Sequence, residues 1–290
     1  MSWSLILVQS LNGIQLGIML FLIAAGLTLI FGIMDFVNLA HGTFYMLGAF
    51  VAATFFAYTG SYVVAAVFAT IVVAIVGLLL EVSLLRFLYT KSHLQHVLAT
   101  FGLILVINDV TRLIWGAAPK AFPVPEALSG FVEIMPGVTY PVYRLLILAV
   151  GLVVAGLLYV LVSHTRAGMW VRAGASDRDM AAALGINVKR VFSYVFALGA
   201  GLAGIAGLMT GPILAVQIGM GEQIIILALV VMVIGGIGSV RGAFLASLFI
   251  GLADTFGRVL LPTSLSSMTI FVIMALVLTL RPKGLFSLNV

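Results

Sequence analysis

The sequence predicts an all-α fold: a polytopic membrane bundle of eight or nine transmembrane helices, with room for a broken or re-entrant helix. Three observations lead there. The 290 residues are 63% hydrophobic and only 8% charged, whereas a soluble domain carries roughly a quarter charged residues. Mean hydropathy is +1.29. Apolar runs of about 20 residues, long enough to cross a bilayer as helices, recur along the chain. They are continuously apolar, which excludes barrel strands, where apolar and polar residues alternate.

In chain order the expected spans are Leu11–Ile33, Ala40–Tyr58, Tyr62–Leu85, Leu94–Trp115, Val142–Val162, Val191–Gly211, Gln223–Ile237, Ala243–Leu261 and Leu265–Leu280. Polar residues mark the connections. Arg86, Lys91, His93 and His96 make one basic loop. Pro119 to Pro141 is longer, Pro-rich, and carries Glu126 and Glu133. Gly238–Arg241 is a tight glycine-rich turn, and Arg281, Pro282 and Lys283 end the last span. Placing His164–Arg190 on the inner face puts Arg86–His96, Gly238–Arg241 and the C-terminal segment inside, and Pro119–Pro141 outside. The basic loops then share one face, as the inward bias of Lys and Arg requires. Met1–Met34 and Phe36–Leu80 hold no formal charge, so charge leaves open whether the chain crosses eight times or nine.

Composition removes other functions. The net charge of +5 fits inner loops beside anionic lipid and gives no nucleic-acid signal. With no cysteine, disulfides, thiolate metal sites and thiol nucleophiles are absent. The four histidines form no ligand-spaced group, so no metal is expected. The start MSWSLILVQSLNGIQLG has no basic n-region or cleavage site and reads as mature chain rather than a removed signal. No second soluble domain is expected; residues 1–290 read as one membrane domain.

Two polar interruptions could line a solute path. GIMDFVNLAHG holds Asp35, Asn38 and His41 between Gly32 and Gly42. Polar groups in hydrocarbon usually face a cavity or a protein partner, and glycine permits a backbone break. A discontinuous helix lining a pathway is one reading; an interfacial turn wetted at Asp35 and His41 is the other. VIGGIGSVRGA holds Gly235, Gly236 and Gly238. A glycine-rich turn before a helix can bind an anion through N–H groups, while close helix packing explains the same glycines. The run lacks a GK[ST] ending, as does the whole chain, so no nucleotide site is expected. NLAHGTFYMLGAFVAA and GGIGSVRGAFLASLFIG both place a Gly-rich interruption before a GAF-containing run, which can mark an internal repeat. Asp109 with Arg112 and Asp254 with Arg258 stand one helical turn apart and read as self-neutralising pairs. Glu81 with Arg86 reads as structural, and Glu222 as a solvated acid.

The inner loop, HTRAGMWVRAGASDRDMAAALGINVKR, concentrates charge as nothing else in the chain does. Ser176-Asp177-Arg178-Asp179 fits a capping box, with Ser176 as cap and Asp177 and Asp179 at the positive helix end. Met180 to Leu184 follow, including Ala182, and Gly185 supplies the stop. A two-turn helix is marginal alone and needs a surface, either lipid or a cytoplasmic partner.

GLTLIFGIMDFVNLAHGTFYMLGAF, RAGMWVRAGASDRDMAAALGINVKRV, GGIGSVRGA and RPKGLF together resemble the permease subunits of branched-chain amino-acid ABC importers, the LivH type, from about Gly26 to Phe286. The resemblance implies a multi-pass protein of the bacterial inner membrane, without enzymatic activity or a cofactor of its own. It also implies a second, LivM-type permease, two cytoplasmic subunits that bind ATP, and a periplasmic solute-binding protein. Ser176–Asn187 would be the coupling helix seated on an ATPase, within the loop 164–190. Asn38, His41, Gly42, Gly235 and Gly238 would line the path. Urea and short-chain amide permeases are similar to the same family. An ion-coupled secondary carrier using Asp35, Asp109 and Asp254 is a competing reading. An intramembrane enzyme using Asp35 and His41 is weaker, because six residues is a poor spacing for one helix face.

Overall fold

The computed structural model describes residues 3–266, 268–282 and 284–285. The helices are α1 (Trp3–Met34), α2 (His41–Thr59), α3 (Tyr62–Ser83), α4 (His93–Trp115), α5 (Val142–His164), α6 (Arg166–Ser176), α7 (Arg178–Ala183), α8 (Val188–Thr210), α9 (Met220–Gly235), α10 (Val240–Leu260), α11 (Thr263–Ser266) and α12 (Thr269–Leu280). Between α4 and α5 the Pro-rich loop folds into an antiparallel hairpin, β1 (Phe131–Met135) and β2 (Val138–Pro141). Turn chemistry sets several of these boundaries. Ser61 caps α3 by accepting from the Val64 N–H, and Gly60 closes α2 in the left-handed region. The Ser92–Gln95 capping box starts α4. Lys283 and Phe286, expected at the end of the last span, lie outside the described residues.

Seven helices are long and apolar enough to cross a bilayer, and α9 and α12 are shorter apolar helices. Near the start of α1, the Asn12 side-chain oxygen accepts from Tyr140 and Arg144 beside the hairpin. The Leu285 N–H donates to the Ile234 carbonyl at the far end of α9. The two ends of the described chain therefore lie at opposite ends of the bundle. Between them the described chain runs through the seven long apolar helices and the shorter α9 and α12.

Small residues let the spans approach backbone to backbone. Two apolar helices gain no hydrophobic drive from meeting in lipid, so close packing must hold them. A Cβ on Gly48 would lie 2.3 Å from the Gly204 carbonyl oxygen, which fixes α2 against α8. The most extensive packing is α1 on α10, and α2 packs on α9. The two sequence interruptions both fall at helix breaks, residues 35–40 before α2 and 236–239 before α10.

One buried acid staples the inner half. Glu81 is fully buried and accepts from Arg86 at 3.1 and 3.3 Å, Tyr89 at 3.0 Å and Ser193 at 2.7 Å. This joins α3 to α8. Replacing Glu81 with leucine leaves Arg86 without its anion and the Tyr89 hydroxyl without its acceptor, while Ser193 keeps the Lys189 carbonyl. The expected loss is about 2 kcal/mol, read as a lower thermal midpoint in detergent; Glu81→Gln, which keeps an acceptor, should lose less.

Two expectations are corrected. Glu222 is not freely solvated: it is half-buried and accepts from Asn108 Nδ2 at 2.5 Å, because α9 begins against α4. Ser176 does not cap the inner helix. It is the last residue of α6, and Asp177 caps α7 by accepting from the Met180 N–H at 2.9 Å. The helix α6, itself capped by Thr165, occupies the stretch in which a cap at Ser176 requires extended chain.

Candidate translocation and coupling site

The break between α1 and α2 begins at Asp35, the described non-glycine residue with a left-handed backbone (φ 50°). Aspartate tolerates this conformation better than most residues. Its carboxylate points outward, 3.8 Å from His93 Nε2. The next residues turn inward. Phe36 packs edge-on against Tyr89 and beside His96, and the Leu39 N–H donates to Thr100 Oγ1 at 3.3 Å. Helix α4 thus pins a non-helical strand of backbone inside protein, where such backbone is tolerated in a membrane protein.

Asn38 and His41 are fully buried in this break. Neither atom of the Asn38 amide and neither ring nitrogen of His41 has a hydrogen-bond partner among the described residues; the Ile23 carbonyl lies by the His41 ring without meeting hydrogen-bond geometry. The imidazole sits edge-on to Phe44, and a Cβ on Gly26 would come within 3.0 Å of its Nε2. Each group buried without a partner costs about 1–3 kcal/mol.

The candidate glycines are points of close approach. A Cβ on Gly42 would lie 2.3 Å from the Gly221 carbonyl oxygen, and one on Gly235 would lie 2.6 Å from the Gly242 carbonyl carbon. Gly238 has φ 81°, and a Cβ on Gly32 would lie 2.5 Å from its Cα. The structure joins Asn38, His41 and Gly42 at the head of α2, and brings Gly235 and Gly238 together at the α9–α10 turn. It also brings Gly238 to Ser176. Both line an inner-end cleft of about 630 Å³, with Thr28, Gly32, Val171 and Arg172. Thr28 Oγ1 is another buried oxygen without a hydrogen-bond partner among the described residues. Ser176 is missing as a cap, yet it borders the same cleft as a glycine from the candidate path.

The inner loop presents α7 outward. Ala181 is buried against the bundle, and the Arg178 guanidinium lies 5.4 Å over the Phe192 ring, holding α7 to α8. Gly185 ends the helix at φ 85°. Asp177, Asp179, Ala182 and Gly185 are exposed, and so are Met180 (58%) and Leu184 (75%). Leu184 and Gly185 also border a depression of about 450 Å³ with Trp170, Arg190 and Tyr194. Apolar side chains presented on a charged inner loop form a surface suited to a protein partner.

The profile of the family described as "Branched-chain amino acid transport system / permease component" matches residues 9–278. The chain belongs to that family. Among curated relatives, the permease is similar to the high-affinity branched-chain amino acid transport system permease protein BraD of Pseudomonas aeruginosa, 33% identical over 96% of this chain and 94% of the relative. It is also similar to the corresponding protein LivH of Escherichia coli K12, 30% identical over the same shares. A more distant relative is the xylose/arabinose import permease protein XylH of Sulfolobus acidocaldarius, 28% identical over 56% of this chain and 45% of that one. No solved structure matches. The permease is a multi-pass membrane protein of a transport system rather than an enzyme. Among the described residues no cluster of three metal-ligating side chains occurs.

Two residues that sequence reasoning missed, Gln15 and Arg144, meet Asp254 at the outer end of the permease. Gln15, Arg144 and Asp254 line one cleft, although they are 110 or more positions apart in the chain. Polarity inside apolar runs was the available signal; their convergence was not visible without the fold.

Proposed function

We propose that this permease carries branched-chain, hydrophobic amino acids across a bacterial inner membrane as one of two permeases, the other of LivM type. Two cytoplasmic ATP-binding subunits drive it, and a periplasmic solute-binding protein feeds it. ATP is bound by the partners, since this chain has no P-loop. The loop 164–190 receives the ATPase movement at Asp177, Asp179, Ala182, Leu184 and Gly185. Ser176, at the α6–α7 junction, passes it to the spans. Asn38, His41, Gly42, Gly235 and Gly238 line or hinge the path.

The observation that carries this reading is the inner cleft shared by Ser176 and Gly238. A push on α7 reaches α6, and α6 borders the point where Gly32 and Gly238 touch without side chains between them. Backbone contacts of this kind can slide with little loss of packing, so two arrangements of the spans can be close in energy, as a driven two-state carrier requires. The test is uptake by proteoliposomes holding the assembled complex. Leucine uptake should need both ATP and the binding protein, and urea should not substitute. Uptake by this chain alone, abolished by collapsing an ion gradient, would contradict the proposal.

A further inference from the structure

The outer end of the bundle holds a cleft of about 480 Å³ that nothing above uses. It lies between the start of α1, the start of α5, the α8–α9 connection and the end of α10. Its size is that of a small-molecule site. What distinguishes it is an incompletely paired set of polar groups beside a stretch of apolar wall.

Asp254 is 2% exposed. Its Oδ2 accepts from Arg258 Nε at 2.8 Å, while Oδ1 has no partner among the described residues. Gln15, also buried, gives its amide N–H only to the Met19 sulfur at 3.7 Å, and its Oε1 is unpartnered. Across the cleft, Arg144 donates to the neutral Asn12 amide at 2.6 Å and has no carboxylate at ion-pair distance among the described residues. Two buried acceptors thus wait for a donor, and one cation waits for an anion. Leu16, Met19, Ile213 and Ile224 supply apolar wall, beside further polar lining that includes Tyr45, Thr210, Thr255 and Arg258.

We propose that this cleft is a reception site for the head group of a free α-amino acid, resting on the transport reading above. The ammonium group donates to Asp254 Oδ1 and Gln15 Oε1. The carboxylate takes Arg144. The branched side chain lies on Leu16, Met19, Ile213 and Ile224. An isolated ion would leave one half of the set unsatisfied, and a sugar would leave Arg144 without its anion. A zwitterion with an apolar tail satisfies every group named.

The test is equilibrium binding of radiolabelled L-leucine to the assembled permease–ATPase complex in nanodiscs without the binding protein, with leucinol and 4-methylpentanoate as competitors. Leucinol lacks the carboxylate, and 4-methylpentanoate lacks the ammonium. Each should bind at least about tenfold more weakly than leucine. Arg144→Gln should weaken leucine to the level of leucinol while leaving leucinol unchanged. Asp254→Asn should weaken leucine to the level of 4-methylpentanoate. The competitor series needs no variant, so it stands even if a substitution impairs folding. Leucine bound no better than both analogues, or bound equally by wild type and both variants, overturns the site. If that same complex still moves leucine, the transport reading stands; a complex that binds and moves urea but not leucine overturns both.

Discussion

Replacing Ala182 with glutamate is expected to abolish ATP-driven uptake while the permease still inserts and folds. Ala182 is an exposed residue on α7, where a longer side chain meets no neighbour in this chain and the helical backbone accepts it. Its neighbour Ala181 carries the contact with the bundle, so the anchoring of α7 is untouched. What changes is the outward face, where Met180 and Leu184 present apolar surface. A carboxylate buried there against a partner without a cation is strongly unfavourable. Uptake should fall to background, with a thermal midpoint equal to wild type. The ATPase subunits should either dissociate or hydrolyse ATP without moving solute. Full uptake by Ala182→Glu would show that this face touches nothing during transport. Ala182→Ser, small and uncharged, should transport normally, which separates lost docking from lost helix.

Replacing Asn38 with leucine should move stability and activity in opposite directions. The amide is buried with neither atom paired, so in the resting protein it is a cost. An apolar residue of similar size removes that cost, worth about 1–3 kcal/mol. The thermal midpoint should rise by roughly 2–4 °C per kcal/mol recovered. Transport should fall sharply, because the polar contact kept at the head of α2 is gone. A merely structural asparagine predicts the reverse pattern, with a lower midpoint and unchanged uptake per folded molecule.

The spans were legible because periodicity hardly matters when every face of a helix is apolar: run length alone marks the element. Boundaries differ by a few residues, except that α1 begins at Trp3, eight residues before the expected span, since WSLILVQS is helical as well as apolar. The inner helix and its glycine stop were legible from Asp177 to Gly185, because capping and left-handed termination are local chemistry. The cap was misplaced by one residue because α6 forms directly upstream, and RAGMWVRAGAS gives little helical signal by itself. Its two ordering contacts, the Thr165 cap and burial of Val171 against the bundle, are partly tertiary. The hairpin at Phe131–Pro141 was read only as a Pro-rich loop. The outer cleft was illegible for a stronger reason: Gln15, Arg144 and Asp254 converge only through the packing of α1 on α10 and α5. Asp254 was legible as a partner of Arg258 and as a lone intramembrane acid, but its second oxygen acquires meaning only when burial is known.

On the proposed function, α7 is a mechanical contact between this permease and an ATPase. The chain contains no cysteine, so Ala182→Cys introduces a lone thiol on the exposed face of α7. Paired with single cysteines placed along the permease-facing groove of the ATPase subunit, it should form a disulfide on mild oxidation. Uptake should stop while the link is in place and return on reduction. A thiol that remains accessible, links to no ATPase position in the assembled complex, and leaves uptake unchanged would contradict the account.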